Sequence, residues 1–185
     1  MKKISLICLF IIWCTITLFA QRITYTPGRT LSNITLQNVV NGKTFDFKSQ
    51  TKAKGFIVVF MTPTCDHCII YKPKILALDA KYKSLGYPVV AIGPYADYPN
   101  EYPLDAAAAM KKAAISGKYT FPYLGDSKFQ TTTLFGITKT PTAVILERKP
   151  DGFLVKYIGV IDNQPDPKKT PTRKFVEEEI QKMLK

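Results

Sequence analysis

Histidine and tryptophan occur once each in the 185 residues, cysteine four times, and acidic residues number 14 against 26 lysines and arginines. Each shortage removes a class of chemistry. One histidine beside two cysteines falls short of the roughly four protein ligands that a structural metal site needs. The deficit of acid leaves a formal net charge of +12. No block of five or more like charges accompanies it. The lysines come in scattered pairs, such as Lys52 and Lys54, Lys72 and Lys74, Lys111 and Lys112, and Lys168 and Lys169. That pattern is a solvated basic surface, not a nucleic-acid arm, so no nucleic-acid partner is expected. Internal repeats and low-complexity segments are also missing, which excludes solenoid and disordered classes.

The first twenty residues form a unit of their own. Lys2 and Lys3 precede Ile4–Ala20, a stretch without a single charge. This is the layout of a secretory signal peptide cut after Ala20, before Gln21, although Leu18 sits where a small residue is usual. The apolar stretch also approaches bilayer-spanning length, so an uncleaved N-terminal membrane anchor is the alternative. Lipidation at Cys8 or Cys14 is disfavoured by the bulk of Ile7 and Trp13 directly before them. The chain is therefore read as exported, to a periplasmic or other extracytoplasmic place. Removing residues 1–20 takes away two lysines, the tryptophan, Cys8 and Cys14, and lowers the net charge to +10. Cys65 and Cys68 then remain as the only thiols, with the sole imidazole, His67, between them.

Residues 21–185 are read as one domain, 46% of the chain being hydrophobic and 22% charged. Ile34–Phe47 predicts a hairpin turning at Asn41-Gly42, the strongest short hairpin signal. Gly55–Met61 and Tyr87–Gly93 are continuous apolar runs of strand length, which suit strands buried on both faces. Between them, Cys65 to about Leu85 has helical spacing, interrupted by Pro73. A helix is predicted over Leu104–Ser116 with Asp105 near its start, and a short one over Ser127–Phe135. Pro141–Leu146 and Phe153–Ile161 read as strands joined at Asp151-Gly152. A loop over Gln164–Pro171 precedes a closing amphipathic helix over Arg173–Leu184. The fold class is α/β: a central mixed sheet flanked by helices on both faces, with an N-terminal hairpin and a helical insertion after the second core strand.

Chemistry concentrates at Cys65-Asp66-His67-Cys68. A C-x-x-C that closes a buried strand and opens a helix puts its first sulfur among unpaired backbone N–H groups at the positive end of the helix dipole. That place stabilises a Cys65 thiolate, while Cys68 lies one turn further in and more buried. Cys65 is then the attacking nucleophile and Cys68 the resolving thiol. His67 adds positive charge in favour of the thiolate, and Asp66 opposes it. A purely structural disulfide would gain little, because so short a loop removes little chain entropy. A c-type haem site fails because Ile69 stands where the histidine should. Neither a metal nor a cofactor is called for.

Thr62-Pro-Thr-Cys-Asp-His-Cys68, together with Pro73 five residues on and Thr140-Pro141 heading a strand, resembles the active site of thioredoxin-fold proteins. The resemblance runs over roughly residues 30–184. It is strongest to the exported peroxiredoxin-like and TlpA-like (AhpC/TSA-related) branch, whose inserted segment is similar to Tyr102-Pro-Leu-Asp105, Met110-Lys111 and Phe121-Pro-Tyr-Leu124. It implies a thioredoxin-like fold in which Thr140 and a cis Pro141, with Thr64, line a groove where an extended substrate strand docks. It further implies thiol–disulfide exchange with protein thiols or disulfides as partners, and a membrane electron donor if the chain acts as a reductant.

Departures from the pattern are specific. Thr64 replaces the tryptophan before the first cysteine, Val59 the buried acid six residues before it, and Tyr71 the glutamate three residues past the second. No obvious general base for Cys68 remains. A peroxiredoxin-like thiol peroxidase is the first alternative, since Thr62 precedes Cys65 by three residues. Against it, Val58 and Lys139-Thr140-Pro141 stand where a proline and a peroxide-supporting arginine belong. A non-enzymatic thioredoxin-fold binding module is the second.

Overall fold

The computed structural model describes residues 24–166 and 168–185, so the leader or anchor reading of residues 1–20, with Cys8 and Cys14, lies outside the described residues. Eight strands make one sheet: β1 (Thr30–Leu31), β2 (Thr35–Asn38), β3 (Thr44–Asp46), β4 (Gly55–Phe60), β5 (Val89–Gly93), β6 (Tyr123–Gly125), β7 (Thr142–Lys149) and β8 (Gly152–Gly159). Their order across the sheet is β1-β8-β7-β4-β5-β6-β2-β3. The centre is parallel, β4 with β5 and β5 with β6, and antiparallel strands extend it on both sides. Among the described residues, four α-helices pack on this sheet: α1 (Asp66–Tyr82), α2 (Ala107–Ser116), α3 (Gln130–Leu134) and α4 (Phe175–Met183).

Every residue of β4 and β5 is buried, and the period of two sends their side chains alternately to two cores. Ile57, Val59, Val89 and Ala91 face a core closed by α1, α2 and α4 through Tyr71, Ile75, Met110, Val176 and Ile180. Phe56, Val58, Phe60, Val90 and Ile92 face the other, covered by Leu31, Ile34, Phe47 and Phe135. Edge-to-face contacts among Phe45, Phe47, Phe56 and Phe153, with centroids 4.7–6.4 Å apart, fill that second core. Helices thus occupy both faces, but unevenly: only the short α3 lies on the second. Arg148 ties that side together. Its guanidinium donates to the carbonyls of Ala53 (2.7 Å), Gln50 (2.9 Å) and Phe47 (3.0 Å) and lies over the Phe153 ring.

The predicted strands and helices are present, with three differences that have physical causes. The Asn41-Gly42 hairpin does not close as a two-residue turn. Gly42 takes φ 71° and its N–H returns to Asn38, while Val39 leaves the hairpin to pair with the Tyr123 carbonyl at 2.9 Å. The competing partner is β6, a strand missed in Phe121–Leu124 because three residues are too few to show a period. The predicted Ser127–Phe135 helix is split into a 3-10 turn at Ser127–Phe129 and α3, with Lys128 and Phe129 in left-handed conformations at φ 53° and 56°. Buried Asp126 explains the break. Its carboxylate reaches past both residues to accept from Thr131 N–H (2.8 Å), Thr132 N–H (2.7 Å) and the Thr132 hydroxyl (2.6 Å). Finally, Asp105 sits outside α2, which starts at Ala107 without a side-chain cap. Its carboxylate is engaged elsewhere.

Candidate active site

Phe60 ends β4, and Met61 N–H still pairs with the Ile92 carbonyl at 3.0 Å. Thr62–Thr64 then carry the chain across the sheet end to Cys65, the N-cap of α1, in extended conformation at φ −73°, ψ 112°. The Cys65 sulfur accepts the Cys68 N–H at 3.2 Å, the place a serine or aspartate oxygen takes in an ordinary cap. A sulfur at that position faces a backbone N–H donor at the positive end of the helix dipole. As a thiol it donates to the Thr140 carbonyl at 3.3 Å. The Thr140–Pro141 peptide is cis, and β7 begins directly after it. Backbone geometry therefore brings Cys65, Thr140 and Pro141 together from opposite ends of the fold.

The two thiols, both free, are unequal. Cys65 is half-buried, whereas Cys68 is 1% exposed. Burial first, then its contact with Cys65, pushes the Cys68 thiol up to about 12. Two clefts flank the pair. One, about 140 Å³, lies between α1 and α2 and reaches Cys68 past Pro63, Ile69, Lys72 and Tyr119. The other, about 360 Å³, runs beside Thr140 and Pro141 and is bounded by His67, Tyr71, Val160 and Asp162. Asp66 and His67 are exposed in the first turn of α1, and only His67 borders a cleft. Pro73 lies inside α1, where a missing N–H bends a helix without ending it. Among the described residues, no three His, Cys, Asp or Glu side chains converge on a common point.

Two polar groups that the sequence did not reveal brace this arrangement. Asp105, 9% exposed, accepts the Thr64 N–H at 2.9 Å and the Thr64 hydroxyl at 2.6 Å. Thr64 is exposed as a residue, but both its backbone N–H and its hydroxyl are committed to that carboxylate. On the opposite side, the Tyr71 hydroxyl donates to Asp162 at 2.9 Å, and Lys74 pairs with the same carboxylate at 2.6 Å. Burial first, then Asp162, pushes the Tyr71 phenol up, so it stays a hydrogen-bond donor. Val59 is fully buried in the core that contains Cys68. Neither thiol hydrogen-bonds to a carboxylate among the described residues, so the resolving thiol has no protein base in contact. No local spacing announces a contact such as Thr64–Asp105, 41 positions apart.

The model of the AhpC/TSA family matches residues 27–164, which include the dithiol, the cis-proline and every strand. The chain belongs to the AhpC/TSA family. Its structure superposes on a hypothetical protein from Sinorhizobium meliloti with a TM-score of 0.74 at 20% identity, covering 87% of this chain and 85% of the other. It also matches a secreted disulfide oxidoreductase of Mycobacterium tuberculosis homologous to DsbE of E. coli. There the TM-score is 0.54 at 19% identity, over 82% and 93% of the two chains. The fold is thioredoxin-like. In sequence, 120 residues are 27% identical to the chloroplastic protein SUPPRESSOR OF QUENCHING 1 of Arabidopsis thaliana, covering 65% of this chain. This chain spans only 11% of that relative's length.

Proposed function

We propose that this AhpC/TSA protein is an exported thiol–disulfide oxidoreductase that cycles between a Cys65–Cys68 dithiol and disulfide. The observation that carries the reading is the asymmetry of the pair: an accessible sulfur at a helix N-terminus, backed one turn inward by a buried thiol held protonated. In the reducing direction the Cys65 thiolate attacks one sulfur of a substrate disulfide. A Cys65–substrate disulfide forms, and the first substrate thiolate leaves. Cys68 then loses its proton, attacks the Cys65 sulfur and displaces the second substrate thiolate, which takes up a proton. The substrate gains two electrons and the protein dithiol becomes a disulfide. The reverse sequence oxidises a substrate dithiol. In both directions the rising charge on Cys68 is transient, which suits a thiol without a protein base whose proton passes to water or to the departing thiolate.

Thr140, Pro141 and Thr64 are assigned to the wall along which an extended substrate segment lies, with His67 and Asp66 at the rim. Protein thiols or disulfides are the substrates in this reading, and a membrane electron donor would reload the dithiol if it serves as reductant. Export rests on residues 1–20, whose charge-free apolar run follows two lysines. The peroxidase alternative is weakened by the placing of the arginines. Arg148 is spent on the carbonyls of residues 47–53 and Arg173 on Glu178, and among the described residues no arginine lines either cleft.

The deciding experiment equilibrates the protein in glutathione or dithiothreitol redox buffers, quenches it by alkylation and reads the Cys65–Cys68 pair by mass spectrometry. A single two-electron transition is expected, and a Cys68→Ser variant should accumulate a mixed disulfide at Cys65. Absence of any intramolecular disulfide would sink the proposal.

A further inference from the structure

The carboxylate of Asp105 has no ordinary structural excuse. It is 9% exposed, forms no ion pair among the described residues, and caps no helix, since α2 begins two residues later without side-chain help. Burying a charge is costly unless specific donors repay it. Both of its donors, the backbone N–H and the hydroxyl, come from Thr64, the residue joined by one peptide to the nucleophile Cys65. The carboxylate is delivered by the segment between β5 and α2. There Asp105 N–H and Ala106 N–H both fold back onto the Tyr102 carbonyl, at 3.0 and 2.9 Å. The Tyr102 ring is in turn stacked on Tyr95 at 4.1 Å. Tyr123 donates its hydroxyl to the Met61 carbonyl at 2.8 Å, and burial first, then the neighbouring Tyr119, Cys68, Asp105 and Cys65, pushes its phenol up. A largely buried negative charge therefore sits against the residue directly before the nucleophile.

We infer that Asp105 is a positioning residue of the dithiol site: it clamps the Thr62–Cys65 loop through Thr64, and its charge holds the Cys65–Cys68 pair toward the disulfide side of its equilibrium. This rests on the oxidoreductase reading and deepens it by assigning a determinant of redox poise outside the C-x-x-C. The clamp fixes where the Cys65 sulfur meets the Cys68 N–H and the Thr140 carbonyl. The charge acts in the opposite sense to the helix N-terminus, since a fixed anion nearby disfavours a thiolate. Whatever stabilises the thiolate stabilises the reduced form and makes the disulfide a stronger oxidant. Asp105 therefore makes the dithiol a better reductant than the bare helix terminus would.

The test compares the parent chain with Asp105→Asn and Thr64→Val. Asparagine keeps the shape and an accepting oxygen but deletes the charge, whereas valine keeps the charge and the backbone bond but deletes the hydroxyl. Two quantities are read: the pH dependence of Cys65 alkylation, located by fragment masses, and the dithiol–disulfide equilibrium against glutathione. Asp105→Asn should move the Cys65 alkylation midpoint to lower pH and shift the equilibrium toward dithiol by about fivefold or more, while Thr64→Val leaves both within about twofold. Lower thermal stability in Asp105→Asn with both readouts unchanged would make the carboxylate merely structural and overturn the inference. An equal shift in Thr64→Val would remove the charge from the explanation. The alkylation midpoint needs no disulfide, so it decides the effect of the Asp105 charge even if the parent forms none, an outcome that would fail the oxidoreductase reading alone.

Discussion

At pH 7.5 the two thiols of the reduced protein should react with iodoacetamide at rates differing by about two orders of magnitude, and the structure says why. A thiol pushed up to about 12 is ionised to only about 3 × 10⁻⁵ at that pH, against about 0.09 for an ordinary thiol near 8.5. Thiolate supply alone thus slows Cys68 by about 3,000-fold relative to an unperturbed cysteine. A more basic thiolate is more nucleophilic, and a Brønsted slope of 0.4–0.5 over about 3.5 units returns about 40-fold. The remainder, about 80-fold, separates Cys68 from an unperturbed thiol before access is counted. Cys68 is 1% exposed, so reagent access subtracts further, while Cys65 is presented at the helix end. The assay is a time course of alkylation on the reduced full chain, with each adduct placed by fragment ions so that Cys8 and Cys14 do not confuse the count. Denaturing the protein should equalise the two rates. Alkylation of native Cys68 within tenfold of Cys65 would refute the burial argument, and with it the division into attacking and resolving thiols.

The same burial has a consequence for stability in alkali. Because the folded-state value of Cys68 is raised, its contribution is fully present below the unfolded value and is lost as pH climbs toward about 12. Between about pH 9 and 12 the unfolded chain has released a proton that the folded chain still holds, so reduced protein should lose up to about 1.4 kcal/mol per pH unit more than a Cys68→Ser variant in urea titrations. Equal slopes would contradict it. Gly55→Ala should be far more damaging than Gly93→Ala in thermal melts. A Cβ at Gly55 would meet the Leu146 carbonyl oxygen of the paired strand at 2.1 Å, whereas at Gly93 it meets the movable end of Met110 at 2.4 Å. Comparable melting temperatures would show that the β4–β7 pairing can open. Phe56→Ala should cost about 3–5 kcal/mol in chemical denaturation, since it hollows the ring cluster against Phe47 and Phe153. Tyr71→Phe should cost about 1–2 kcal/mol by leaving Asp162 one donor short, and a loss below 0.5 would make that hydrogen bond energetically idle.

What could be read in the chain was whatever repeats at short range. Fully apolar β4 and β5, the C-x-x-C between a strand and a helix, the interior Pro73 and the amphipathic α4 each leave a pattern within about ten residues, and each is where that pattern puts it. What escaped was set by partners far away in sequence. β1 and β6 are two and three residues long and exist because β8 and β5 offer them an edge. The Asn41-Gly42 turn widened because Val39 found a better acceptor in Tyr123.

The site divides along the same line. Its reacting atoms lie within four consecutive residues, but the groups that brace them do not. Asp105 reaches Thr64 from 41 positions away and Asp162 reaches Tyr71 from 91. Both are buried carboxylates on segments that read as an inserted helix start and a strand exit. Their chemistry exists only once burial raises the cost of leaving them unpaired. The missing acid at Val59 and the missing glutamate at Tyr71 suggested a site poorer in charge than its relatives. The fold shows negative charge moved outward instead, to one carboxylate behind the nucleophile's loop and another behind the resolving thiol's helix. Neither hydrogen-bonds to sulfur: Asp105 acts on the nucleophile's loop through Thr64, and Asp162 holds Tyr71 and Lys74 on the resolving thiol's helix. A chain built this way sets its redox poise from outside the C-x-x-C, where no motif search would look.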